Sequence, residues 1–98
     1  YPSAEREIAI VKSRVSGISA KLSEQVVAFV QAVREEDLFK PPGVAETVEW
    51  AEAATILNEQ GVPWPRAFAR AIGVVLKDQD DLTYVAPNID RLIMGSAA

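Results

Sequence analysis

The sequence predicts an all-α protein: a compact helical bundle of four main helices plus a short C-terminal helix. Three observations lead there. Apolar residues recur at helical spacing in four successive segments, and the alternation of a half-buried strand is missing where that signal is strongest. Pro and Gly residues punctuate the chain between the segments. The connections left over are brief, which suits neighbouring helices packed as a bundle. The chain has 98 residues, 49% of them hydrophobic, enough for one core and too few for two. Residues 1–98 therefore read as a single helical domain.

Ser3 suits an N-cap, with Glu5 in the first turn, where the helix dipole favours an acid. Ile8, Val11 and Val15 follow at helical spacing, and Gly17 suits the stop. A second helix starts near Ser19 or Lys21. Its apolar positions, Leu22, Val26, Phe29, Val30 and Val33, form the strongest amphipathic pattern in the chain. Pro41, Pro42 and Gly43 separate it from a third helix, predicted from Val44 to Asn58, with Val44, Val48, Ala51 and Leu57 on its buried side. Gly61 and Pro63 end that segment, and Pro65 is well placed as the first residue of a fourth helix. Phe68, Ala71, Ile72, Val75 and Leu76 make its face. The acidic stretch DQDD (78–81) reads as a solvated loop, and LTYVAP (82–87) is too short to assign. A last short helix is expected from Pro87 to about Met94, offering Ile89, Leu92 and Ile93.

Composition excludes several functions. The net charge is −4 and no Lys/Arg run exists, which argues against nucleic acid as a main partner. Cysteine and histidine are both absent, so there is no disulfide, thiol nucleophile, imidazole base or Cys/His zinc site. No apolar run approaches the ~18 residues of a membrane span, and nothing within the 98 residues reads as a signal peptide. The expected compartment is cytoplasmic. The chain begins on Tyr1, which reads as an excised piece of a longer chain or a processed one.

The glycines at 17, 43, 61, 73 and 95 give neither GxxxxGK[ST] nor GxGxxG, so the chain carries no phosphate cradle of its own. Asp78, Asp80 and Asp81 suggest a calcium loop, but its sixth and twelfth positions are Thr83 and Ile89 instead of Gly and Glu. Glu46 and Glu49 read better as acids in the first turns of a helix than as a catalytic pair. Trp50 reads as a core residue, and Trp64 as either a loop plug or a contact. That leaves KPPGVAETVEWA (40–51), in which a helix follows Pro-Pro-Gly at once. Its N-terminus presents bare backbone N–H groups that attract anions, unless the turn only sets a helix-crossing angle.

YPSAEREIAIV, LFKPPGVAETVEWAEAATIL and AIGVVLKDQDDL together resemble the C-terminal helical lid of MoxR-type AAA+ ATPases, in the branch near the carbon-monoxide-dehydrogenase accessory ATPases. Tyr1-Pro2, Glu5 and Glu7 match the opening of such lids. Lys40 to Ala51 match the KPP…ETVEWA block, and Leu76-Lys77 with Asp81 match the later helix end. The likeness spans about residues 1–85. It implies an ATP-binding α/β domain preceding residue 1, with ATP and Mg bound in the full-length parent and none by this chain alone. The implied role is a lid that closes over ATP and transmits nucleotide state in a ring, a hexamer by expectation. Its implied partners are neighbouring subunits, the preceding ATPase domain and a von Willebrand A-type protein, in a chaperone that assembles or activates other complexes, often metalloenzymes. The implied nucleotide-facing residues are Lys40, Pro42, Gly43, Val44 and Ala45. Ala45 stands where many related lids carry an arginine aimed at the terminal phosphate, a role that would then fall to Lys40 or to a group from another subunit. The rival reading is a free-standing helical protein–protein interaction module with no nucleotide link. A small enzyme is the weakest reading, since base and nucleophile sets are missing.

Overall fold

Serine hydroxyls start the first two helices. In the computed structural model, which describes residues 1–92, Ser3 Oγ accepts from the Arg6 amide at 3.2 Å and Ser19 Oγ from the Leu22 amide at 3.1 Å. Each hydroxyl satisfies one of the amides that a helix start leaves unpaired. The helices they open are α1 (Ala4–Arg14) and α2 (Ala20–Arg34). Gly17 turns the chain between them with φ +80°, a backbone region that other residues rarely adopt. Gly61, φ +99°, does the same after α3 (Val44–Glu59).

The fourth segment departs from expectation. Instead of one helix through Leu76, α4 (Trp64–Arg70) stops at Ala71 and a single turn, α5 (Ile72–Val75), follows. Gly73 lies in that turn, and glycine is the poorest helix former after proline. The expected face is nonetheless intact: Phe68, Ala71, Ile72, Val75 and Leu76 are all buried. The acidic stretch is not a solvated loop. Asp78 is the N-cap of α6 (Gln79–Val85), its carboxylate accepting from the Asp80 and Asp81 amides at 3.0 and 3.1 Å. Acids in the first turn of α6 meet the positive end of the helix dipole, so DQDD starts a helix. A 3-10 turn, Ala86–Asn88, carries Pro87, and residues 89–92 are helical. Ile93 and Met94 lie outside the described residues.

α3 is the centre of the molecule, packing against α1, α2, α4 and α5. Val11, Val26, Phe29, Val30, Val33, Val48, Ala51, Phe68, Ile72 and Val75 are buried as the periodicity predicts. Ile8, Leu22 and Leu57 are only half-buried, with Ile8 and Leu57 packed at the edge of the core. Trp50 is fully buried, and its indole N–H donates to the Phe68 carbonyl at 2.8 Å. The Phe68 ring meets Phe29 edge-on at 5.0 Å and Trp50 at 5.9 Å. Such pairs add about 0.5–1.5 kcal/mol each beyond the area they bury. Trp64 is half-buried against the same Phe68 ring, which makes it a plug over α4. Among the described residues there is no strand, and no helix long and apolar enough to cross a membrane.

Candidate functional site

The turn that leads into α3 is held from two sides. On one side stands Arg34, in the last turn of α2. Its Nε donates to the Pro42 carbonyl at 2.7 Å. Its two terminal nitrogens donate to the two Glu7 carboxylate oxygens at 2.8 and 2.7 Å, a bidentate pair. The Glu7 side chain is 0% exposed and that of Arg34 8%, so water barely reaches the pair. Thr47, in the first turn of α3, completes it: its hydroxyl donates to Glu7 Oε2 at 2.7 Å, with the Gly43 carbonyl at 3.1 Å as the alternative acceptor. The Tyr1 ring lies over the Arg34 guanidinium, 4.1 Å from its centroid to Cζ. Three helices and the chain start thus meet at one cation.

On the other side stands Asp81, in the first turn of α6 and almost fully buried. Its two oxygens accept from the Phe39 and Lys40 amides, both at 2.8 Å. The carboxylate offers two acceptors to two adjacent backbone donors, fixing the chain ahead of Pro41 and Pro42. Among the described residues no buried side-chain polar atom lacks a partner. The network is therefore complete, the condition under which a buried ion pair is not a liability.

Burial alone would raise the Glu7 carboxyl. The hydrogen bonds from Arg34 and Thr47, and the positive charges of Arg34 and the chain's amino terminus, outweigh it and hold the group below its ordinary value.

The nucleotide-facing candidates sit on this turn with distinct fates. Lys40 and Ala45 are exposed, Gly43 and Val44 half-buried, and Pro42 buried with its carbonyl spent on Arg34. The side chains of Lys40 and Ala45 are thus open to a ligand, while Pro42 is a structural member. Gly43 has an extended backbone that any residue adopts, φ −89° and ψ −171°. A Cβ there would meet Glu46 Oε1 at 3.1 Å. Glu46 reaches back to the Gly43 amide at 2.8 Å, half of a capping box. Its carboxylate already neutralises part of the helix dipole, so an anion at this end competes with it. The amides of Val44, Ala45 and Glu46 have no acceptor within the helix, as at any helix start. Glu49 pairs with Lys77 at 3.3 Å on the surface.

Sequence reasoning named the turn but not its clamps. Arg34 and Thr47 were not singled out. Glu7 entered only through the resemblance, and Asp81 through it and as a calcium-loop acid. Their signal is positional. Glu7 lies four residues before Val11, on the stripe that continues to Val15, where a bare charge is costly without a partner. Among the described residues no group of acids is placed to hold a metal ion. No protein-family model, curated protein or solved structure matches the chain.

Proposed function

We propose that the chain is the C-terminal lid subdomain of a MoxR-like AAA+ ATPase. Its work is to close over ATP, contact the neighbouring subunit of a ring and transmit nucleotide state. In this reading the parent is a cytoplasmic chaperone for other enzyme complexes, working with a von Willebrand A-type partner and with Mg-ATP held by a preceding α/β domain. Two supports carry it: the resemblance through KPPGVAETVEWA, and one structural observation. The turn before α3 is clamped by Arg34 from α2 and Asp81 from α6, so the α3 N-terminus has a fixed attitude relative to the whole bundle. A lid that reports a bound phosphate needs such a rigid reporting end, because a free turn would absorb the displacement.

Glu46 sets the condition for phosphate approach. Its carboxylate must swing off the Gly43 amide, or the phosphate must bind beside it through Ala45 and Lys40. The test reads upstream of Tyr1 and then measures turnover. The reading frame is expected to encode GxxxxGK[ST], and the longer product to hydrolyse ATP at a rate lowered by Gly43→Leu and by Lys40→Ala. A frame that opens a few codons before Tyr1, or turnover unaffected by both substitutions, would overturn the assignment. The interaction-module reading has one observation in its favour. Phe39 is 78% exposed on a turn whose amide is pinned, the form of a preorganised contact residue.

A further inference from the structure

We propose that Arg34 is a positioning residue that couples the chain at Tyr1 to the first turn of α3. The tyrosine ring packs against the guanidinium, 4.1 Å from Cζ to the ring centroid, and the guanidinium holds the carbonyl from which that turn departs. An ion pair that served only to join α1 to α2 would need only the two terminal nitrogens. Here Nε is spent as well, on Pro42 O at 2.7 Å, the residue before the α3 N-cap. The guanidinium is a rigid planar fork, so its three directions cannot be adjusted separately. A tilt that releases Pro42 O also misaligns the 2.8 and 2.7 Å bonds to Glu7. The Tyr1 ring is in contact with that fork and is otherwise 76% exposed, so it does little for the core. Thr47 closes the circuit from the α3 side, since its hydroxyl binds Glu7 Oε2 and its amide binds Gly43 O at 3.1 Å.

The coupling deepens the lid reading and rests on it for its meaning. A preceding domain that shifts Tyr1 would reach Val44 and Ala45 without touching them. The Asp81 clamp gives an internal reference, because it fixes Phe39 and Lys40 from α6 by a separate route.

Amide hydrogen exchange of the 98-residue chain, followed by NMR with no nucleotide present, tests it. Tyr1→Ala is expected to speed exchange at Gly43 and Thr47 by about fivefold, the size of an exposed cation–π contact. The Phe39 and Lys40 amides and the α2 core amides should change by less than about twofold. Tyr1→Phe keeps the ring face and should restore wild-type protection at Gly43 and Thr47. Unchanged exchange at those two amides in Tyr1→Ala overturns the proposal. So does a uniform rise across the chain, or failure of Tyr1→Phe to restore protection. None of these readouts involves ATP, so the result stands apart from the fate of the lid assignment, which the upstream reading frame decides.

Discussion

Glu7→Gln is the sharpest test of the network that holds the α3 entry. The substitution keeps the shape of the side chain and one oxygen, and it removes the charge from a group that is 0% exposed. Arg34 keeps Pro42 O and the Tyr1 ring, yet its cation is left in a nearly dry site with no counter-charge in contact. The glutamine NH2 also faces an Arg34 nitrogen, donor against donor. Removing one partner of a buried pair costs about 3–5 kcal/mol, and the remaining oxygen and the Pro42 contact moderate this to about 2–4 kcal/mol. The unfolding entropy of 98 residues is about 0.2 kcal/mol/K, so a loss of ~3 kcal/mol lowers Tm by about 15 °C. Urea denaturation at pH 7 measures it, with the m value unchanged and the midpoint lowered. The pH dependence gives an independent check. The folded Glu7 carboxyl lies below its ordinary value, so its contribution is fully present above about pH 4.3 and is lost as pH falls through the folded value. The gap between wild type and Glu7→Gln should therefore narrow below about pH 4. A cost under about 1 kcal/mol at pH 7, or a gap that stays constant to about pH 2, would refute the reasoning.

Asp81→Asn sets an NH2 against one of the two amides it now receives. A loss of about 1–3 kcal/mol is expected, together with faster exchange at Phe39 or Lys40, read by urea denaturation and NMR. Trp50→Phe removes the bond to the Phe68 carbonyl and shrinks a fully buried ring. It should cost about 2–3 kcal/mol in thermal denaturation, and a near-neutral result would show that the carbonyl has another donor. Calorimetry of the 98-residue chain with Mg-ATP should show no micromolar binding, because it has no loop to wrap the phosphates. Tight binding would count against a lid that supplies only one wall of the site.

The helices were legible where capping and periodicity agreed. Ser3, Ser19 and the Pro-Pro-Gly before Val44 all mark real starts, and the stripe from Val26 to Val33 is buried as its spacing demands. The break at Ala71 was not legible, since the apolar spacing from Phe68 to Leu76 is what an unbroken helix would also show. DQDD was misread because an acid-rich stretch suits both a loop and a first helical turn. The Asp78 cap and the return of Asp81 onto the Phe39 and Lys40 amides separate the two. The candidate site was legible as a place and not as a mechanism. Pro42, Gly43 and Ala45 announce a sparse helix start, but the pairing of Glu7 with Arg34 spans 27 positions, and no local pattern specifies a partner so far away. The burial of Thr47 follows from that pairing and was equally out of reach.

The two clamps also differ in when they can form. Arg34 reaches Pro42 across 8 positions, whereas Asp81 reaches Phe39 across 42. Closing the longer loop costs about 1.5 kcal/mol more in chain entropy, and that cost must be met before the carboxylate bonds return anything. During synthesis the turn can first be tethered only by its Arg34 arm, because α6 follows α1, α2 and α3 in the chain. It acquires its second only when α6 packs back on it. The same order runs in reverse on opening. Fraying of α6 should loosen the segment ahead of Pro41 long before the helix bundle itself gives way, so α6 governs how long Phe39 and Lys40 keep their place.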